Sequence, residues 1–178
     1  DITTALLLQE IFNTSYFRVY THDDILGVEL GGALKNVIAI ASGICDGLSL
    51  GNNASAALIT RGLAEIKRLG VSMGAKEETF SGLSGLGDLI LTCTAPMSRN
   101  YSLGIKLGQG MRLNEALSQT KSVIEGVATS ESAYEISKKY NVLMPIVENV
   151  YMVLYEDKEP AVAVNELMNR TLKTEFHA

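Results

Sequence analysis

Lys35 is the one cation in a long, nearly apolar stretch, GVELGGALKNVIAIASGICDGL, spanning residues 27–48. A lysine so placed must snorkel to water, pair with an acid or face a cavity, because burying an unpaired ammonium is costly. Gly31 and Gly32 lie one helical turn back, so nothing bulky covers that side. An ammonium with room beside it is mounted as a proton-transferring group would be. Asp88 and Thr92 form a second candidate pair, four residues apart and so on one helical face. A carboxylate and a hydroxyl one turn apart could grip a polyol, although a cap and a surface threonine explain the pair equally well.

Ser98-Arg99-Asn100 follows Pro96 and opens a helical pattern. With Ser98 as N-cap, free first-turn amides beside a guanidinium make an anion site suited to phosphate. A helix that is merely capped reads the same way. Glu125, in KSVIEGVATS, is either a solvated acid at a helix start, the commoner case, or a group bonded to a ribose or amide across a cleft. The run Gly82-Leu83-Ser84-Gly85-Leu86-Gly87 is not a dinucleotide loop. That loop needs GxGxxG after a strand with an acid about 20 residues on. Here the order is GxxGxG, no strand precedes it and Asp88 follows at once, so a close-packed loop entering a helix is expected. His22 and His177 read as a loop and a tail residue with no catalytic part.

Helices must position these groups. Asp23 and Asp24 offer an N-cap and first-turn acids for the Lys35 helix, which extends to about residue 48. Residues 47–53 read as a turn, and 54–69 as a helix that Gly70 stops. A shorter helix is expected over 76–80, followed by helices at 99–109, 113–118, 128–140, 145–155 and 161–168. Pro145 is tolerated in a first turn. Before all of these, Asp1 and Thr3 or Thr4 can start a helix carrying Leu7, Leu8, Ile11 and Phe12. Residues 17–20, Phe-Arg-Val-Tyr, alternate as a short strand. A lone strand cannot complete a sheet. Residues 1–21 therefore read as the tail of an upstream sheet-containing domain, and the chain, which opens without methionine, as a fragment. The fold class expected is all-α, a bundle of about eight to ten helices.

The 178 residues fit one ordinary domain. A hydrophobic fraction of 47% with 20% charged residues is a globular rather than a disordered composition. The net charge of -5 and the absence of any basic cluster give no reason to expect nucleic acid. Cys45 and Cys93 lack metal-like spacing and read as two reduced thiols of a cytosolic protein. Glu29, Lys35 and Asp46 interrupt the most apolar segment, so a buried core helix is expected there and not a membrane span.

Taken together, FRVYTHDDILGVELGGALKN, GNNASAALITRGLAEI, TFSGLSGLGDLILTC, SRN and VIEG resemble the bacterial-type NAD(P)-dependent glycerol-3-phosphate dehydrogenases in order and spacing over nearly the whole chain. The resemblance implies a helical carboxy-terminal domain of the 6-phosphogluconate-dehydrogenase-like kind over residues 22–178, with 1–21 left from an amino-terminal Rossmann domain. It implies interconversion of sn-glycerol 3-phosphate and dihydroxyacetone phosphate with NAD or NADP, supplying glycerol 3-phosphate for phospholipid synthesis in the cytoplasm. Lys35 is similar to the family's proton donor or acceptor, with Asn36 beside it in the substrate pocket. Asp88, Thr92, Ser98, Arg99 and Asn100 look like substrate-binding positions. Arg99, Val123 and Glu125 match positions that contact the cofactor. A homodimer is expected, and the chain by itself is expected to be inactive, since the GxGxxG loop and a further active-site lysine would lie upstream. A non-catalytic helical interaction domain, with Lys35 paired to Glu29, Asp46 or Asp88 and no cleft around it, stays open. So does the helical domain of a related hydroxy-acid or sugar-acid dehydrogenase.

Overall fold

Asp24 sets the start of the helix that carries Lys35. Its Oδ1 accepts a hydrogen bond from the Gly27 amide (2.9 Å), while Oδ2 accepts from the Lys76 amide (2.9 Å) and the Thr79 hydroxyl (2.6 Å). One buried carboxylate thus caps the helix and ties it to a later loop. In the computed structural model, which describes residues 1–120, 122–172 and 174, this helix is α2 (Ile25–Gly47), preceded by α1 (Ile2–Phe12). There follow α3 (Asn52–Ser72), a 3₁₀ turn (Glu77–Ser81), a π-helical turn (Leu83–Gly87) and α4 (Asp88–Thr94). The remaining helices are α5 (Arg99–Gly108), α6 (Leu113–Ser118), α7 (Glu125–Lys139), α8 (Pro145–Tyr155) and α9 (Pro160–Met168). Nine α-helices among the described residues match the bundle expected from the sequence. His177 lies outside the described residues.

The bundle is built around α2, which packs against α3, α4, α5, α7 and α8. Every residue from Asn36 to Cys45 is buried, on all sides of the helix. By length and composition α2 could cross a membrane, yet its apolar surface is spent on its neighbours, as a core helix requires. Its contact with α5 is the tightest. A Cβ on Gly43 would lie 2.0 Å from the Tyr101 carbonyl oxygen, and one on Gly104 would lie 2.1 Å from that of Ile40. Gly47 and Gly108 repeat the arrangement one turn on, so the two backbones run side by side in the same direction and touch. At the rim of this contact the Tyr101 hydroxyl donates to Asp46, whose other oxygen accepts from Ser55 at 2.9 Å.

Two sequence expectations fail here for physical reasons. Residues 17–20 form no strand. Their backbone is met locally, by Gln9 Nε2 on the Val19 carbonyl (2.8 Å) and by Asn13 Oδ1 under the Val19 amide (3.2 Å), with no neighbouring strand to pair. Gly70 does not stop its helix either. It lies inside α3, where Phe80 packs against the space a side chain would fill, and Gly74 makes the turn at φ 100°. The 76–80 helix is a 3₁₀ turn. Cys45 and Cys93 are buried free thiols, and burial pushes them up to about 11 and about 12 respectively, which leaves them unreactive.

A second buried acid closes the far side of the bundle. Glu65, on α3, is 2% exposed and accepts from the amides of Ile146 (2.8 Å) and Val147 (3.2 Å) in the first turn of α8. Burial outweighs those hydrogen bonds and raises its carboxyl from 4.5 to about 7.

Two stability predictions follow from this packing. Gly104→Ala should lower the unfolding free energy by about 1–3 kcal/mol, the cost of overpacking a close-fitted contact. Urea denaturation would show it as a lower midpoint at unchanged slope, and an unchanged midpoint would mean the helices are not in backbone contact. For Glu65, the folded carboxyl holds a proton that the unfolded one releases between pH 4.5 and about 7. Stability relative to Glu65→Gln should therefore fall as pH rises through that window and level off above it. A flat difference across the window would show that Glu65 titrates normally.

Candidate functional site

The Lys35 ammonium donates to a carboxylate oxygen of Asp88, a residue 53 positions away at the start of α4. The two side chains are 22% and 32% exposed, so the pair is neither sealed in the core nor free in solvent. Gly31 and Gly32 act differently from one another. A Cβ on Gly31 would meet the Ser84 carbonyl oxygen at 2.9 Å, so this glycine lets α2 press against the π-helical turn that delivers Asp88. A Cβ on Gly32 would meet nothing within 4 Å, and this is the side that stays open. The Thr92 hydroxyl donates to the Asp88 carbonyl at 2.6 Å and lies 3.2 Å from its Oδ1. Thr92 therefore braces Asp88 and does not stand beside it as a second free group.

A second cluster forms where α5 and α7 begin. Ser98 caps α5, its hydroxyl accepting from the Tyr101 amide at 3.3 Å. Arg99 stays exposed and reaches the loop before α7, donating to the Val123 carbonyl at 2.9 Å with Glu125 Oε1 4.0 Å from its other nitrogen. Val123 and Glu125 are themselves exposed. Beneath them Asn36 and Asn100 are 7% and 8% exposed and bonded to each other. Asn100 Nδ2 donates to Asn36 Oδ1 (2.8 Å), and Asn100 Oδ1 accepts from the Gly126 amide (2.9 Å).

A cleft of about 650 Å³ joins the two clusters. One wall is a single face of α2, from Val28 and Glu29 through Gly32 and Ala33 to Asn36. Ser84 and Asp88 border it on one side, and Val123, Glu125, Ala128 and Thr129 on the other. Of the residues singled out in the sequence, Asn36, Asp88, Val123 and Glu125 line the cleft. Lys35 and Arg99 are tied to its lining through Asp88 and Val123, Thr92 and Asn100 stand behind it, and Ser98 is occupied as a cap. Lys35 pairs with Asp88 as the interaction-domain reading required, but the cleft beside the pair goes against that reading. Among the described residues no group of acidic, histidine or cysteine side chains is placed to hold a metal ion.

Sequence reasoning missed Glu29, Ser84, Ala128 and Thr129. Glu29 had a usable signal, since positions 29, 32, 33 and 36 share one helical face. The Asn36–Asn100 bond had none, because 64 residues separate its partners.

The sequence and the fold have close counterparts. The family described as NAD-dependent glycerol-3-phosphate dehydrogenase C-terminus matches residues 24–165. A glycerol-3-phosphate dehydrogenase [NAD(P)+] of Geobacter sp. (strain M21) is 61% identical over 171 residues, covering 96% of this chain and 51% of that protein. The protein of the same name from Geobacter sulfurreducens is 59% identical over 98% of this chain and 52% of its own length. Among solved structures, the glycerol-3-phosphate dehydrogenase of Coxiella burnetii superposes with a TM-score of 0.92 at 46% identity, over 96% of this chain and 52% of that one. The chain spans about half the length of the curated relatives it matches.

Proposed function

The chain belongs to the NAD-dependent glycerol-3-phosphate dehydrogenase family, whose carboxy-terminal part it matches, and from that premise we propose that it is the substrate-binding and catalytic half of an enzyme interconverting sn-glycerol 3-phosphate and dihydroxyacetone phosphate. The observation that carries this reading is the partly buried Lys35–Asp88 pair at the edge of a cleft to whose far rim, at Val123, Arg99 is bonded.

Bound NAD(P)H supplies the hydride in this reading, and the cleft has groups that suit such a cofactor: the exposed Val123 and Glu125 on its rim and the open space over Gly32. Glu125 would accept from a hydroxyl or amide, and Arg99 would lie between cofactor and substrate. Most of the cofactor's contacts would come from a domain upstream, for which the apolar and exposed Leu7, Ile11 and Phe12 of α1 offer a packing face.

Reduction of the central carbonyl places negative charge on its oxygen. Lys35 would stabilise that charge and deliver the proton, and in the opposite direction its neutral form would remove it. An arginine could not do this, because it keeps its proton near neutral pH. Asp88, braced by Thr92, would aim the ammonium. Arg99 and the amides at the start of α5, held in place by the Ser98 cap, would grip the phosphate and so fix the distance between the reacting carbon and its hydride source. Asn36, in the cleft wall, would contact the substrate, with Asn100 next to it. The assembly proposed is a cytoplasmic homodimer: the buried free thiols suit reducing surroundings, and exposed apolar side chains outside α1, such as Leu143 and Met168, call for cover.

Lys35→Met in the full-length enzyme should lower kcat by about 10²- to 10⁴-fold, the usual worth of a positioned proton donor, with the cofactor's dissociation constant unchanged. Normal turnover, followed as NAD(P)H absorbance, would remove Lys35 from the chemistry. Arg99→Ala should raise KM for dihydroxyacetone phosphate by about tenfold or more, since charge-assisted hydrogen bonds to an anion are lost. An unchanged KM would take Arg99 out of the phosphate site.

A further inference from the structure

Three acids line the cleft, and two of them are answered. Asp88 is held by Lys35, and Glu125 faces Arg99 at 4.0 Å. Glu29 stands exposed in the α2 wall, and among the described residues it has no hydrogen-bond or ion-pair partner. Its own helix offers none, because the residues three and four positions away are Ile25, Leu26, Gly32 and Ala33, all uncharged. Nor does it serve the helix start. It lies beyond the first turn of α2, where an acid would gain from the macrodipole.

The remaining lining near this carboxylate also accepts. The Thr129 hydroxyl on α7 spends its proton on the Glu125 carbonyl at 2.9 Å, so it offers the cleft lone pairs only. The donors of the site, Lys35 and Arg99, are those assigned above to the carbonyl and the phosphate. Six residues separate Glu29 from Lys35, which is about 9 Å along the helix axis. That is farther than a three-carbon ester centred on the ammonium extends, and the open space over Gly32 lies between the two. The carboxylate therefore faces the other ligand. A diphosphate only accepts and carries negative charge, so an unanswered carboxylate repels it. Hydroxyls and an amide N–H are what such a group binds.

We propose that Glu29 is a cofactor-binding residue: it accepts hydrogen bonds from the hydroxyl or amide donors at the nicotinamide-riboside end of NAD(P), and by repelling the diphosphate it selects which end of the dinucleotide enters the cleft. The inference rests on the proposed function and adds one contact to it. Glu29 holds the donor-bearing end, and the phosphates are left to the upstream part of the full-length chain.

The test measures binding directly, by calorimetric titration of the full-length enzyme with NAD(P)H. Glu29→Ala keeps a good helix former at an exposed position, and an unchanged melting temperature checks the fold. Its dissociation constant for NAD(P)H should rise about tenfold, the worth of a charge-assisted hydrogen bond. Glu29→Gln, which keeps one accepting oxygen, should lie between it and the wild type. Adenosine diphosphate, which has the phosphates but no nicotinamide riboside, should bind the variants no more weakly than the wild type. The reduced acetylpyridine analogue of the cofactor has a methyl group in place of the amide nitrogen. A loss that persists with it assigns the bond to ribose hydroxyls, and a loss that vanishes assigns it to the carboxamide. An unchanged dissociation constant for NAD(P)H in Glu29→Ala overturns the proposal. Equal losses for NAD(P)H and adenosine diphosphate overturn it too, because Glu29 would then be answered by a cation of the upstream domain. A wild-type enzyme that binds NAD(P)H but does not reduce dihydroxyacetone phosphate would strike the proposed reaction and leave the contact at Glu29 standing.

Discussion

Contact between the backbones of α2 and α5 is the constraint on which the rest of the structure depends. Helices normally keep about 8–10 Å between axes because side chains intervene. Four glycines remove that layer, and carbonyl oxygens of one helix come to lie where a Cβ of the other would be. The register is then set in steps of one turn: Asn36 meets Asn100, Ile40 meets Gly104 and Ile44 meets Gly108. Neither helix can slide without driving a side chain into backbone. Since α5 begins at Arg99, one position before Asn100, its guanidinium and capped amides are delivered to a fixed height on the helix that carries Lys35. The geometry of the site is therefore decided by residues that take no part in it.

The helix starts are pinned by a second device, used three times. Asp24 reaches the Lys76 amide, Glu65 the Ile146 and Val147 amides, and Asn100 the Gly126 amide. In each case a buried side chain on one element satisfies backbone N–H groups at a turn or helix start on another. Such groups must find a partner if they are shielded from water. Hydrophobic packing alone would allow each helix to rotate or slip at modest cost. A directional bond to a particular amide does not. The acid at Glu65 and the amide at Asn100 do the same geometric work, but only the uncharged one lies under the cleft, where a titrating group would disturb the field around Lys35.

The helices were legible in the sequence where a local signal decides them. Asp24 before an apolar run, Ser98 after Pro96 and Pro145 in a first turn each mark a start that the structure keeps. Local signals misled where a distant partner decided the outcome. Gly70 looks like a stop until Phe80 packs over it, and residues 17–20 have the composition of a strand but no neighbour to pair with. The site divides in the same way. Asp88 and Thr92 were legible as a pair because they are one turn apart, but the role of Thr92 as a brace depends on which atom its hydroxyl meets. The attachment of Lys35 to Asp88, and of Arg99 to Val123, required the fold.

The degree of exposure of the Lys35–Asp88 pair carries the last step. Were the ammonium and carboxylate sealed in hydrocarbon, separating them would expose two uncompensated buried charges, and the lysine could not be shared with a third group. Were both fully solvated, screening would leave the ammonium unaimed and its side chain free to wander. At about a quarter exposed, the pair lies between these limits. Asp88 can hold the lysine in place while an incoming oxygen takes up one of its three N–H donors, so that orientation and availability do not compete. The open side over Gly32 is where that oxygen has room to arrive. Two adjacent glycines on α2 thus divide the task, Gly31 by letting the turn that bears Asp88 come close and Gly32 by keeping the opposite approach clear.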